Sequence, residues 1–285
     1  MLIAQITDLH IGFEPGNPRE LNQRRLDAVI EALIALDVRP DLVLATGDLS
    51  DKAAPESYQR VREALGRLPF PAFVLPGNHD DRTEFRQAFT VPPGPDGFIQ
   101  YVLEDFPVRI IVLDTLEEGL HGAGFCETRA AWLDRTLAAE PHRQTLIALH
   151  HPPVDTGIPW MGALPGEPWI QRLLSVVSRH PQVGTLISGH MHRPIATPFA
   201  GATLIVAPSI APDLVLTLKD MDLAAGDSRP LIELGQPAFA LHQWRDGRFL
   251  THFEWVAERK VLARHDAGMK RFLDHVIEER KAAKA

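Results

Sequence analysis

Asp41-Leu42-Val43-Leu44-Ala45-Thr46-Gly47-Asp48-Leu49-Ser50-Asp51 is the stretch that decides the fold. Leu42 to Thr46 run on as mostly apolar residues without alternation, the pattern of a strand covered on both faces. Gly47 stops the run and Asp48 follows at once. A carboxylate just past the carboxyl end of a buried strand stands where open α/β sheets hold their ligands.

The same order, apolar run and then polar cluster, recurs on both sides of this stretch. Leu2 to Thr7 predicts a strand that ends in Asp8-Leu9-His10. Residues two apart on an extended segment point the same way, so Asp8 and His10 are expected to address one point. Ala72 to Leu75 runs into Pro76-Gly77-Asn78-His79-Asp80-Asp81. Thr145 to Leu149 ends in His150-His151-Pro152-Pro153, and Thr185 to Ser188 ends in Gly189-His190-Met191-His192.

Helical patterns separate these strands. Leu26, Val29, Ile30, Leu33 and Ile34 recur at helical spacing. Pro55 and Gly66 bracket a second helix, Pro near the start and Gly past the end. Short helices are expected over Arg82–Phe89 and Glu127–Ala138, and another over Trp169–Val177. Phe98–Leu103 and Val108–Leu113 read as paired strands around Asp105–Pro107. Beyond residue 200 the pattern turns to strands: Ala202–Ala207, a short one at Leu214–Leu218, and a hairpin of Ala238–Arg245 and Arg248–Trp255 about Asp246-Gly247. Met269, Phe272, Leu273, Val276 and Ile277 mark a closing amphipathic helix that leads into a charged tail. Strands alternating with helices predict an α/β architecture, with two sheets covered by helices.

Composition narrows the function classes. The chain has 285 residues, 45% of them hydrophobic, enough for one large domain. A formal net charge of −8 argues against a binder of nucleic-acid polymers, which relies on neutralising phosphates. The lone cysteine, Cys126, allows no internal disulfide and no thiolate metal cage. No apolar run approaches a membrane span, and no signal peptide is read at the start, so a cytoplasmic protein is expected.

Five strand ends supply seven metal-capable residues: Asp8, His10, Asp48, Asn78, His150, His190 and His192. Seven donors are too many for one four- to six-coordinate ion and suit two ions sharing a carboxylate. Imidazole, carboxylate and amide oxygen without sulfur favour Mn²⁺, Fe or Zn²⁺.

Asp8-x-His10, Gly47-Asp48, Gly77-Asn78-His79-Asp80, His150 and Gly189-His190-x-His192 together resemble the signature of the calcineurin-like metallophosphoesterases, over residues 2–192. The close GNHD, HHPP and GHxH forms are similar to the branch of cyclic-nucleotide phosphodiesterases and glycerophosphodiesterases. The resemblance implies a four-layer α/β/β/α sandwich of two mixed sheets flanked by helices. It assigns Asp8, His10, Asp48 and His192 to a first divalent ion, and Asp48, Asn78, His150 and His190 to a second. His79 becomes the non-ligand histidine beside the substrate phosphate, so His79, Asp48 and Asn78 are the expected catalytic residues. No Arg follows the Gly47-Asp48 block, unlike the protein-phosphatase branch. Neither Tyr58 nor Tyr101 lies in a signature block, unlike the purple acid phosphatase branch.

The expected reaction is hydrolysis of a small phosphodiester by a water made hydroxide-like between two ions. 3′,5′-Cyclic nucleotides are the expected substrate and glycerophosphodiesters the alternative. A phosphomonoesterase, a nuclease and a non-catalytic regulatory protein on the same fold are the rivals. His79 is expected to protonate the leaving alkoxide or stabilise charge, with Asp80 orienting it. Asp51 and His151 are read as outer partners of the ligands or as turn caps. Trp160 and Met161 are read as pocket or rim residues, and His121, with Gly122 and Gly124, as part of a plain turn, with a place near the site as the alternative. His180, His242, His252, His265 and His275 are read as structural or exposed. Residues 1–265 are taken as the catalytic domain, with 208–237 a flap or a contact in a homo-oligomer. Residues 266–285 are taken as the amphipathic helix and tail, packing on the body or on another subunit.

Overall fold

The computed structural model describes residues 1–282 apart from 165, 223 and 225; the last residues of the charged tail, 283–285, lie outside the described residues. The first unit runs β1 (Leu2–Ile6), α1 (Leu21–Ile34), β2 (Leu42–Thr46), α2 (Pro55–Leu65), β3 (Ala72–Leu75) and α3 (Arg82–Ala88). All five residues of β2 are buried, as its unbroken apolar run requires. Asp81 caps α3, its carboxylate accepting from the Thr83 and Glu84 amides at 2.8 and 3.0 Å.

The second unit holds β4 (Tyr101–Leu103), β5 (Arg109–Val112), α4 (Glu127–Ala139), β6 (Thr145–Ala148), α5 (Pro168–Val177), β7 (Val183–Ser188), β8 (Ile195–Phe199) and β9 (Ala202–Val206). The short pair β10 (Asp213–Leu214) and β11 (Ile232–Glu233) follows. The chain then forms the hairpin β12 (Ala238–Arg245) and β13 (Arg248–Trp255) and the helix α6 (Lys270–Ala282).

Two mixed sheets result. One has the order β13-β12-β1-β2-β3, the other β4-β5-β6-β7-β9-β8. Strands β1, β2 and β3 are parallel, and β12 joins β1 antiparallel. Strands β5, β6, β7 and β9 are parallel, with β4 and β8 antiparallel at the edges. Alternating side chains decide the layering. Ile110, Val112, Leu146 and Ala148 join the core beneath the first sheet, together with residues of α1 and α2. Ile111, Leu113, Ile147 and Leu149 point the other way, into a second core with Leu133 and Leu137 of α4 and Leu173 of α5. Helices therefore cover both sheets, and the two sheets face each other.

Three segments depart from the sequence reading. β8 is not among the expected strands; Pro194 precedes it and Pro198 lies within it, which an edge strand tolerates because an outward-facing position needs no N–H for the ladder. The strand read over Leu214–Leu218 shrinks to Asp213–Leu214, because its partner β11 offers only two residues. Leu216 and Leu218 beyond it stay exposed. Helix α6 forms as read, yet none of its residues is buried, so packing on the body is not what the structure shows. Among the described residues no helix is long and apolar enough to cross a membrane.

Candidate metal centre

The parallel strands of both sheets end on one side, and the turns after β1, β2, β3, β6 and β7 carry the seven candidate ligands. The backbone must leave each strand abruptly. Asp8, His10, Asp48, His190 and His192 all have positive φ, between 47° and 70°. Such conformations cost free energy in non-glycine residues and persist where the surroundings enforce them. This corrects the expectation for Asp8 and His10: they converge through two left-handed residues, not along an extended segment. Two glycines make room. A Cβ on Gly47, at φ +96°, would lie 2.3 Å from His150 Nδ1, and one on Gly77 would lie 2.2 Å from Asp48 Oδ1.

The seven residues come together. Donor atoms of Asp8, His10 and His192 lie within 4.8 Å of one another, as do those of Asp8, Asp48 and His150. Asp48 Oδ2 stands 3.3 Å from His150 Nε2 and 3.5 Å from His10 Nε2. Asp8 Oδ1 lies 3.3 Å from His192 Nε2. Asn78 Oδ1 lies 3.2 Å from His150 Nε2. His190 reaches the group through its backbone, whose N–H donates to both Asp8 oxygens. Its ring centroid is 5.2 Å from that of His150.

Outer contacts orient the imidazoles. His150 Nδ1 donates to the Thr46 carbonyl at 2.8 Å, and His192 Nδ1 to the Pro212 carbonyl at 2.7 Å. His10 Nδ1 faces Asp51 Oδ1 at 3.1 Å, so Asp51 is the outer partner that the sequence suggested. Each ring thereby turns Nε2 toward the carboxylates. His10 Nε2 and His190 Nδ1 are buried with no hydrogen-bond partner. Orphaned imidazole nitrogens beside two buried carboxylates are the donor set a divalent cation requires, so the residues fit such an ion.

Charge is distributed accordingly. Burial pushes the Asp48 carboxyl up, but His150, His10 and His79 outweigh it and hold Asp48 well below the usual carboxylate range. Asp8 is lowered too, with His192 and His150 overcoming its burial. His190 is pushed well down by burial and by His150, leaving a neutral ring.

Two residues, Asp80 and His121, behave differently from the sequence reading. Asp80 does not orient His79. Its carboxylate accepts from the Gly77, Leu49 and Ser50 amides at 2.8, 3.2 and 3.2 Å, tying the β3 turn to the β2 turn. Burial, then the Asp48 charge, raises the Asp80 carboxyl to about 6. The His79 ring is held instead by Asp51, with Nδ1 2.9 Å from the Asp51 carbonyl, and its own amide donates to Asp48 Oδ1. His121 is at the site: Nδ1 lies 3.3 Å from Asn78 Nδ2 and Nε2 lies 3.1 Å from Met161 Sδ. It follows no strand, so the sequence favours the plain-turn reading over the place near the site that it takes. His151 sits against Thr115 Oγ1 at 2.8 Å, beside His150 and His190.

A cavity of about 320 Å³ opens beside His10, His79 and His192. Phe13, Trp160, Met161, Leu214 and Ile232 line it, so both pocket candidates from the 154–168 loop reach it. No Lys or Arg lines it among the described residues.

Comparison with known proteins agrees with this geometry. The calcineurin-like phosphoesterase family profile matches residues 1–194. A probable glycerophosphodiester phosphodiesterase of Arcobacter nitrofigilis is 30% identical, over 90% of this chain and 94% of that one. A 3′,5′-cyclic adenosine monophosphate phosphodiesterase of Escherichia coli K12 is 31% identical, over 73% and 75%. A dimetal phosphatase of Danio rerio shares the fold at TM-score 0.67 and 17% identity, over 90% of this chain and 97% of that one. The chain therefore belongs to the calcineurin-like phosphoesterase family, among relatives named phosphodiesterases.

Proposed function

We propose that the chain is a two-metal phosphodiesterase of small phosphodiesters. The observation that carries this reading is the overlap of the donor sets: Asp48 stands with His10 in one set and with Asp8 and His150 in another. Asp8, His10, Asp48 and His192 would hold one divalent ion, and Asp48, Asn78, His150 and His190 a second. Mn²⁺, Fe and Zn²⁺ all suit the donors. When bound, the ions supply Lewis acidity toward the phosphoryl oxygens and a strongly polarised water.

The chain's own residues do the rest. Asp48 and Asp8 bring two negative charges that hold the cations. His79 donates Nδ1–H to the Asp51 carbonyl, so Nε2 carries a proton for the leaving-group oxygen only when the ring is an imidazolium. Asn78 is turned so that Oδ1 faces His150 while Nδ2 faces His121. Trp160 and Met161 line the same cavity as His79.

The cavity supports a diester over a monoester. A monoester dianion meets no added Lys or Arg there and faces Glu14, Glu20 and Asp51. A glycerophosphodiester is the substrate supported by full-length kinship, because that relative spans nearly the whole chain. A 3′,5′-cyclic nucleotide is the second reading, supported by the Phe13 and Trp160 rings in the cavity wall. A cytoplasmic enzyme, and a homo-oligomer covering the exposed residues of α6, belong to the same proposal.

The test is turnover by metal-reconstituted protein of cyclic AMP, cyclic GMP, 2′,3′-cyclic nucleotides, glycerophosphodiesters and aryl mono- and diesters, with elemental analysis alongside. Two metals per chain and diester turnover are expected. Reconstituted protein that holds no metal would end the proposal.

A further inference from the structure

Arg25, on α1, is buried, and among the described residues no carboxylate lies within ion-pair distance of it. Its guanidinium spends its donors on three backbone carbonyls: Nε on Ile210, Nη2 on Ala211 at 3.1 Å and Nη1 on Gly235 at 2.6 Å. Ile210 and Ala211 lie where the chain enters the β10–β11 hairpin, and Gly235 lies where it leaves. One side chain thus ties both ends of that segment.

The tied segment reaches the metal centre in two ways. Ile210 and Ala211 donate their amides to the Thr7 and Asp8 carbonyls at 3.0 and 2.9 Å. The next residue, Pro212, accepts from His192 Nδ1 at 2.7 Å. The same hairpin places Leu214 and Ile232 in the cavity wall. A buried cation takes carbonyl partners at this density only where desolvation is offset by charge-assisted bonds.

We propose, resting on the two-metal reading, that Arg25 is a positioning residue that couples the first metal position to the substrate cavity. It fixes the Pro212 carbonyl that orients His192, and it fixes the hairpin that walls the cavity. Among the described residues no hydrogen bond or ion pair joins Asn78, His150 or His190 of the second position to this segment, so that position is left alone.

The experiment compares Arg25→Lys and Arg25→Met in the full chain, by calorimetric titration of metal-free protein with Mn²⁺ and by diester kinetics at saturating Mn²⁺. Outer-shell substitutions typically weaken metal binding about 10- to 100-fold. Loss of that size is expected for one of two sites in Arg25→Met, with a smaller loss in Arg25→Lys and a raised KM in both. A double-mutant cycle identifies the site. In a His192→Ala background the Arg25 substitution should add clearly less than its full effect, since only its link to Asp8 through Ile210 and Ala211 remains, and in a His150→Ala background it should add its full effect. Unchanged affinity at both sites, or equal weakening of both, overturns the proposal; if Arg25→Met does not fold, Arg25→Lys carries the same comparison. Wild-type protein that binds no Mn²⁺ fails the two-metal reading itself, a separate result.

Discussion

Acidification from pH 7 to pH 4 should act on His242 more than on any exposed histidine. His242 lies on β12, fully buried, with Nε2 3.0 Å from Gln5 Oε1 and Nδ1 2.9 Å from Thr251 Oγ1. The Gln5 oxygen only accepts, so Nε2 carries the proton and the ring is neutral. Burial pushes its pKa from 6.5 to about 3. Above pH 6.5 folded and unfolded states both hold it neutral, and it contributes no pH dependence. Below 6.5 the unfolded chain takes up a proton that the folded chain refuses, so stability falls as pH falls. At about 1.4 kcal/mol per pH unit, the loss reaches about 3 kcal/mol by pH 4, a large share of a domain's typical 5–15 kcal/mol. Urea unfolding of metal-free protein and of His242→Gln at both pH values measures it. Carboxylates elsewhere titrate alike in both proteins, so the difference between the two pH dependences isolates the imidazole. Wild type should lose about 3 kcal/mol more than the variant between pH 6.5 and pH 4. Parallel losses would refute the reasoning.

Three further outcomes follow from the site. Asp48→Asn should lose most turnover and one of two bound metals by elemental analysis; unchanged turnover would remove Asp48 from its shared role. His79→Ala should cost about 10²–10⁴-fold on diesters with alkoxide leaving groups and much less on activated aryl diesters, and equal losses would reject the proton-donor role. Gly77→Ala places a methyl 2.4 Å from the Asp48 backbone nitrogen, so it should destabilise the fold by about 1–3 kcal/mol and weaken metal binding, measured by thermal unfolding with and without Mn²⁺.

Much of the fold was legible because burial on both faces leaves a simple trace. The runs at Leu42–Thr46 and Thr145–Ala148 are mostly apolar, with no polar alternation, and both are fully buried strands. Segments that need a partner to be defined were less legible. Leu214, Leu216 and Leu218 alternate as a half-buried strand should, yet pairing stops at Leu214. Ile195–Phe199 carries two prolines in or beside it and still pairs, because β8 has only one neighbour. Local pattern reports which residues tolerate burial; it does not report how long the neighbouring strand is.

The candidate site was legible for a different reason. Each candidate position follows a strand within a few residues, and parallel strands in one sheet end on one side, so strand ends that are distant in sequence become neighbours. That logic finds Asp8, Asp48, Asn78, His150 and His190 without any side-chain detail. It fails for His121, which comes from a loop, and for Asp80, whose neighbour in sequence is His79 but whose carboxylate turns back to three amides. What the logic cannot supply is the conformation at the turns. Five of the seven candidates sit at positive φ, a cost that the chain bears only if something fixes each turn. The fixing contacts are the Asp8 amide to the Gly47 carbonyl, the Leu9 and His10 amides to the Asp48 carbonyl, and the His190 amide to the Asp8 carboxylate. The strained turns thus hold one another, and each left-handed turn is fixed by contacts to its neighbours, which is how a convergent donor set is preorganised.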